Sequence, residues 1–169
     1  MTISVVIRSG GQSGVDRAAL DCAIANGIRY EGWCPRGGWA EDFPTPPGLL
    51  TTYAQLTETR SADPSVRTRW NVRDSDATLI LTAEGPARSP GTRFTLRCAE
   101  ELERPHHVLD LSREAAHIDA VRWLVEKMAS VERRPFVLNV AGPRESQSRG
   151  VYAAAAAAIE RLLRDAAVM

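Results

Sequence analysis

A glycine-rich segment near the start of the chain is the part best suited to binding an anion. It has the sequence SGGQSGVD over residues 9–16, with glycines at 10, 11 and 14. Glycine lets backbone N–H groups approach a phosphate closely and adopts positive φ readily. When a helix follows, its positive end points at the same ligand. The segment therefore predicts a phosphate-binding loop.

The elements on both sides of this loop are those such a site requires. Residues 3–7 (ISVVI) predict a buried strand, and residues 15–26 have apolar positions at helical spacing. The glycine spacing matches neither G-x-G-x-x-G nor G-x-x-x-x-G-K-[ST]. Ser13 and Asp16 also fit a helix capping box, so a structural role for both stays open. A side chain placed at Gly11 is expected to enter the anion site and not the core.

Two further loops carry cations after predicted strands. Arg36 lies in the segment CPRGG (34–38), and Arg144 lies in AGPRES (141–146). A guanidinium can form a bidentate pair with a phosphate, although a solvated surface arginine is the alternative. Cys34 could be a reactive thiol, but a packed side chain is the commoner role.

A second candidate anion cradle precedes the helix predicted over 93–103. Its sequence is Ser-Pro-Gly-Thr (89–92), and the Thr92 hydroxyl could donate to a ligand or cap the helix. Arg67 and Asn71 share one face of a polar helix predicted over 65–74. Their alternative role is that of a solvated helix surface.

The composition of the chain argues against several classes of protein and several kinds of site. The 169 residues carry no net charge, which does not fit a nucleic-acid-binding protein. No segment is long and apolar enough to span a membrane, and the N-terminus does not resemble a signal peptide, so we expect a cytoplasmic protein. Three separated cysteines indicate neither disulfides nor a zinc site. His106 and His107 point to opposite faces of a strand, so we expect no metal site.

Alternating strands and helices predict the fold. Strands are expected at 3–7, 28–33, 53–59, 76–82, 105–111 and 136–140, and helices at 15–26, 65–74, 93–103, 114–131 and from about 149. We therefore expect a single α/β domain over 1–169, a Rossmann-like three-layer sandwich with a mostly parallel central sheet. The loops above all follow strands, so they should meet at the carboxyl edge, where such folds bind ligands.

Catalytic groups are less evident than binding groups. None of the three histidines falls in these loops, so no Ser-His-Asp or Cys-His set is visible. Asp16, Asp42 and Glu145 could act as acids or bases, but spacing alone does not place two of them at one bond. We assign no catalytic residue.

Four segments together resemble the molybdenum cofactor carrier protein family. They are residues 9–21, 32–37, 67–80 and 138–146. This family is a circularly permuted branch of the group that includes the cytokinin-activating phosphoribohydrolases, the lysine-decarboxylase-like proteins and DNA-processing protein A. The resemblance implies a Rossmann-like fold, a homo-oligomer (dimer or tetramer) and a pocket for molybdenum cofactor or a nucleotide.

The resemblance also implies which residues bind the ligand. With Ser13 added from the first loop, the expected binding residues are Gly10, Gly11, Gln12, Ser13, Gly14, Asp16, Arg36, Asn71, Gly91, Thr92, Gly142, Pro143, Arg144 and Glu145. The phosphoribohydrolase signature Pro-Gly-Gly-x-Gly-Thr-x-x-Glu is shortened here, and Phe94 and Thr95 stand where its catalytic glutamate is expected. This departure favours binding over glycosidic hydrolysis.

Three functions follow in order of preference. The first is a carrier of molybdenum cofactor or a related phosphorylated, nucleotide-like ligand, with no nucleic-acid or membrane partner. The second is a nucleotide-processing N-glycosidase that uses Asp16 or Glu145. The third is an NAD-dependent oxidoreductase, because Glu31 lies at a suitable distance after the glycine loop, although the glycine pattern argues against it.

Overall fold

Strands and helices alternate along the chain in a computed structural model that describes residues 5–85, 88–132 and 134–168. The strands are β1 (Val5–Arg8), β2 (Tyr30–Cys34), β3 (Leu56–Glu58), β4 (Ala77–Thr82), β5 (His106–Asp110) and β6 (Phe136–Ala141). The helices are α1 (Val15–Ala25), α2 (Pro64–Arg73), α3 (Pro90–Glu101), α4 (Glu114–Ala129) and α5 (Val151–Val168), with a short 3-10 helix at Gly48–Thr51. Residues 3 and 4 of the first predicted strand lie outside the described residues.

The six strands within the described residues form one sheet in the order β3-β2-β1-β6-β4-β5, and all their pairings are parallel. The chain builds outward from β1 through β2 to β3, crosses to β4 and β5, and returns with β6 between β1 and β4. The predicted α/β Rossmann-like architecture is confirmed.

Helices cover both faces of this sheet. Helices α1, α4 and α5 pack together over the main core, whereas α2 and α3 pack on each other over a smaller cluster that includes Val72, Cys98 and Ala99. All six residues of β4 are buried, as expected for an apolar strand between two neighbours. No helix among the described residues is long and apolar enough to cross a membrane.

The predicted third strand is shorter than its pattern indicated. The prediction covered residues 53–59, but pairing with β2 is confined to Leu56–Glu58 at the sheet edge. Tyr53 is instead buried in the core, edge-on to the ring of Tyr30, and its hydroxyl donates to Asp21 at 2.7 Å. Packing of this aromatic ring therefore replaces strand pairing at the start of the segment.

Candidate functional site

A cavity of about 210 Å³ opens at the carboxyl edge of the sheet, between the ends of β1 and β6 and the first turns of α2 and α3. Parallel strands bring the loops after β1 and β6 to the same edge as the starts of these two helices. The cavity is lined by Gly10, Gln12, Asp16, Pro64, Ser65, Arg67, Thr68, Asn71, Ser89, Gly91, Phe94, Thr95, Asn139, Ala141, Gly142, Arg144 and Gln147.

The most buried charges in its wall are those of Asp16 and Arg67. Arg67 Nη1 donates to Asp16 Oδ2 at 3.0 Å, and the Asp16 and Arg67 side chains are only 5% and 12% exposed. Burial raises the pKa of the Asp16 carboxyl. Arg67 and hydrogen bonds from the backbone N–H groups of Gln12 and Gly142 act in the opposite direction and lower the pKa, but burial outweighs them. Two amides of the predicted anion loops therefore donate to a carboxylate of the protein itself.

Gly10 provides the space for this ion pair. A Cβ on Gly10 would lie 1.7 Å from Arg67 Nη1 and 3.0 Å from Asp16 Oδ2. Arg67 Nε is buried without a hydrogen-bond partner. The Arg67 guanidinium therefore makes the close approach to the backbone that requires glycine at position 10. Arg67 was not among the expected binding residues, although its spacing from Asn71 pointed to it.

Gly11 lies behind the cavity, against the core. Its φ is +71°, and a Cβ would meet the Cδ1 atoms of Leu49 and Leu56 at 3.1 Å each. Its carbonyl accepts from Arg17 Nε and Nη2 at 3.2 and 3.0 Å. The expectation that a side chain here would fill an anion site and spare the core is wrong, because the loop turns this residue inward.

Arg17 anchors the glycine loop to the proline-rich segment. It forms a bidentate pair with Asp42, with N···O distances of 2.8 and 2.9 Å, and lies over the rings of Phe43 and Tyr53. Hydrogen bonds and charge from Arg17 hold the pKa of Asp42 below its ordinary value. Asp42, a candidate acid or base by sequence, therefore serves as a structural partner.

A clasp of polar groups joins the loops after β1 and β6. The Glu41 carboxylate accepts from the Ser13 hydroxyl and, at 2.6 Å, from the Ser146 hydroxyl. Gln12 Oε1 accepts from the backbone N–H groups of Ser13 and Glu41 at 3.1 and 2.9 Å. Burial acts to raise the pKa of Glu41, but these hydroxyl hydrogen bonds and the charge of Arg144 outweigh it and lower the pKa.

Gly14 and Pro143 make the backbone contact beneath this clasp. A Cβ on Gly14 would lie 2.3 Å from the Pro143 carbonyl oxygen, which accepts from the Val15 N–H at 3.2 Å. Gly142 is equally close to its surroundings, since a Cβ there would lie 2.4 Å from the Leu81 carbonyl oxygen. Tight packing, against a loop at Gly14 and against strand β4 at Gly142, is sufficient to require glycine at both positions.

Helix α3 begins earlier than predicted, at Pro90 instead of 93, because Ser89 caps it. Ser89 Oγ accepts from the Thr92 N–H at 3.3 Å, and Gly91 and Thr95 line the cavity. Thr92 itself is buried, and its hydroxyl has no hydrogen-bond partner. Thr92 is therefore not the cap, and it does not line the cavity.

The remaining expected residues divide between the cavity wall and other tasks. Asn71 Oδ1 accepts from the Trp33 N–H at 2.8 Å and Nδ2 donates to the Trp33 carbonyl at 3.0 Å, which ties α2 to β2. Arg144 lines the cavity.

Glu145 accepts from the N–H groups of Gly150 and Tyr152 at the start of α5, away from the cavity. Glu31 pairs with Arg8 and Arg29 and does not line the cavity.

Arg36 lies outside this cavity, on an adjoining hollow of about 440 Å³. The hollow is lined by Arg36, Gly37, Trp39, Pro44, Pro46, Ala62 and Pro64. Pro64 lines both spaces, and Arg144, in the cavity, lies 5.4 Å from the ring centroid of Trp39, in the hollow. We refer to the two spaces as the cavity and the proline hollow.

Seven of the fourteen expected residues thus line the cavity: Gly10, Gln12, Asp16, Asn71, Gly91, Gly142 and Arg144. The others support the loops, are buried, cap α5 or line the hollow. The cavity wall also includes residues that were not among the expected binding residues: Ser65, Arg67, Thr68, Ser89, Phe94, Thr95, Asn139 and Gln147. The polar residues at the start of α2 could have indicated that this helix lines the binding site. Asn139 carries no such signal, because its neighbours in sequence form an apolar strand.

The described residues contain no group of three or more His, Cys, Asp or Glu side chains that could hold a metal ion. Cys34 is buried, and that burial, with the charge of Glu58, raises the pKa of its thiol to about 11. Cys34 therefore behaves as a packed side chain.

Comparisons with known proteins agree with this architecture. A solved structure from Syntrophus aciditrophicus SB, described as a "Putative molybdenum carrier protein", is 37% identical, with a TM-score of 0.81 over 96% of both chains. A search of curated proteins gave no match. The family model described as "Circularly permutated YpsA SLOG family" matches residues 7–163. The chain belongs to this circularly permutated YpsA SLOG family.

Proposed function

We propose that this protein binds and carries molybdenum cofactor or a related phosphorylated, nucleotide-like ligand at the carboxyl edge of its sheet. The observation that carries the proposal is the cavity that holds the buried Asp16–Arg67 pair beside Arg144 and the first turn of α3. The 37% identical relative described as a molybdenum carrier supports the same class of function.

The two kinds of group in the cavity suit two parts of such a ligand. Arg67, Arg144 and the first N–H groups of α3 can bind an anionic phosphate. The Asp16 carboxylate can accept from ring N–H groups of a pterin or a base. A donor end and an acceptor end in one cavity favour a ligand with both a phosphate and a nitrogen heterocycle.

Native mass spectrometry of the protein purified from its own host tests the proposal. We expect a retained small molecule that shows pterin fluorescence after oxidation or the mass of a nucleotide. Arg67→Gln should lose it, whereas Arg69→Gln, on the exposed side of the same helix, should retain it. Retention by Arg67→Gln, or a retained molecule without phosphate, would contradict the proposal.

One observation favours an N-glycosidase as the second candidate. Asp16 is a buried carboxyl in the cavity wall with a raised pKa, a common state for a general acid. Glu145 is engaged at α5 and does not share this position. Release of free base from nucleoside monophosphates, abolished by Asp16→Asn, would establish the enzyme, and no release would leave the carrier.

The proposal includes the assembly and location that the family resemblance implies. We expect a homo-oligomer, either a dimer or a tetramer, in the cytoplasm. Light scattering during size-exclusion chromatography measures the assembly, and a single peak at the 18.5 kDa of one chain would contradict it.

A further inference from the structure

We infer that the proline hollow is a second subsite, and that the ligand is a two-part molecule of the dinucleotide class, with a second ring against Trp39 and an anionic link near Arg36 and Arg144. This inference rests on the proposed function, because it extends the same binding site.

The first support is continuity between the two spaces. Pro64, the first residue of α2, lines both of them, and the helix then supplies Ser65, Arg67 and Thr68 to the cavity. Arg144, which lines the cavity, lies over the ring of Trp39, which lines the proline hollow. A ligand that leaves the cavity past Arg144 therefore meets the indole next.

The second support is charge. Arg36 lines the proline hollow together with Trp39, and Arg144 lies over the Trp39 ring. Within the described part of the chain neither guanidinium forms an ion pair or a side-chain hydrogen bond. Arg17 and Arg67, by contrast, form ion pairs with Asp42 and Asp16. Two guanidinium groups without ion-pair partners, one lining the hollow and one over its tryptophan, suit a diphosphate link next to a planar base.

The third support is size. Pockets for small molecules and cofactors usually measure about 300–1,000 Å³. The cavity alone, at about 210 Å³, is smaller than this range, whereas the proline hollow adds about 440 Å³ beside it. The cavity therefore accommodates one end of a ligand better than a whole cofactor.

The fourth support is the rigidity of the hollow. Pro44 and Pro46 form part of its wall, and Gly37 packs against Pro46, where a Cβ would lie 3.2 Å from the proline Cγ. The Arg36 N–H donates to the Ser61 carbonyl at 2.8 Å, and the Gly37 N–H donates to Glu58 at 2.7 Å. A preformed wall of this kind lowers the conformational entropy that binding removes.

Calorimetric titration with four classes of probe tests the inference. The probes are AMP and GMP, then ADP and GDP, then the matching 5′,5′-linked dinucleoside diphosphates, and finally inorganic phosphate. We expect the dinucleoside diphosphates to bind at least tenfold more tightly than the monophosphates, because stacking of a base on an aromatic side chain has about this effect. The nucleoside diphosphates separate the contribution of the second phosphate from that of the second ring.

Two variants locate the gain. Trp39→Leu should reduce the preference for dinucleoside diphosphates over monophosphates from tenfold to less than twofold. Arg36→Gln should weaken the dinucleoside diphosphate several-fold, whereas Arg60→Gln, an exposed arginine in the neighbouring loop, should change nothing. These results would establish the subsite.

Two other outcomes contradict the inference, and they are distinguishable. If monophosphates and dinucleoside diphosphates bind within twofold of each other, or if the preference survives in both variants, the hollow is not a subsite while the proposed function stands. If no nucleotide binds at millimolar concentration, the subsite and the nucleotide-like ligand are both overturned.

Discussion

Arg67 occupies the space that a side chain on Gly10 would need. The distance from an ideal Cβ on Gly10 to Arg67 Nη1 is 1.7 Å, and the same Nη1 atom donates to Asp16. Gly10, which was expected to contact a phosphate, therefore leaves the space that a buried ion pair occupies. Any ligand in the cavity meets Arg67 and Asp16 as a unit, because each holds the other in place.

Gly10→Ala should break that unit. The added methyl displaces the guanidinium, so we expect a loss of about 2 kcal/mol in the free energy of unfolding and weaker ligand binding. Gly91→Ala is the matched control for stability, because a Cβ there meets nothing within 4 Å and alanine favours the helix. Urea denaturation measures both, and equal stabilities would contradict the assignment.

Gly11→Val should disrupt the core and not merely the binding site. The residue combines a φ of +71° with close contacts to Leu49 and Leu56, so we expect a loss of about 3 kcal/mol. Gly27→Val has a similar φ, +64°, but open space around it, and it isolates the cost of backbone strain. Thermal and urea unfolding of the two variants should differ clearly, and equal losses would show that Gly11 does not face the core.

The Asp16–Arg67 pair should show strong energetic coupling. Arg67→Gln leaves a buried carboxyl without its partner and should cost about 3 kcal/mol, whereas the double variant with Asp16→Asn should recover part of this loss. The exposed pair between Arg69 on α2 and Glu101 on α3, at 2.7 Å, is the control and should show no measurable coupling. Double-mutant cycles from urea denaturation compare the two pairs.

Glu41 should make stability depend on acid pH. Its pKa is lowered in the folded protein, so the folded state binds fewer protons than the unfolded state as pH falls below about 4.3. The Glu41 contribution is therefore present above that pH and is lost as the carboxylate of the folded protein takes up its proton. Wild type should lose more stability than Glu41→Gln between pH 5.5 and 3.

Urea midpoints at several pH values within that range test the Glu41 prediction. Glu126→Gln, an exposed glutamate on α4 beside Lys127, is the control and should follow wild type. Parallel curves for wild type and Glu41→Gln would show that the clasp between the two loops does not contribute.

Cys34 should be unreactive in the native protein. All three cysteines are buried, and the pKa of the Cys34 and Cys22 thiols is raised to about 11, so little thiolate is present near pH 8. Iodoacetamide should label none of them within minutes, and all three after unfolding in urea. Rapid native labelling of Cys34, read by mass spectrometry, would restore it as a candidate nucleophile.

Much of the architecture could be predicted from local sequence. The run from Ala77 to Thr82 is apolar and β-branched, and five of the ten connections between consecutive strands and α-helices contain glycine. Periodicity therefore locates strands and helices along the chain. Boundaries were less certain. Tyr53 reads as part of a strand but enters the core as an aromatic ring, and α3 begins at Pro90 because Ser89, not Thr92, caps it.

The sequence by itself determined which loops meet. Parallel pairing sends every β-to-α connection to one edge, so the neighbourhood of Gly10, Gln12, Asp16, Gly142 and Arg144 follows from topology. It did not determine the direction in which each residue of a loop faces. Two adjacent glycines, Gly10 and Gly11, face a guanidinium and a leucine cluster respectively, and only the φ angles of the folded loop distinguish them.

Tertiary structure alone decided the electrostatics of the site. Asp16 and Arg67 are 51 residues apart, and their pairing depends on how α2 packs over the glycine loop. The folded chain also brings Arg144, which follows β6, against Trp39, which follows β2, and leaves Arg36 on the adjoining hollow. Contacts between residues distant in sequence have no local signature, because burial and charge pairing arise only when separate elements assemble.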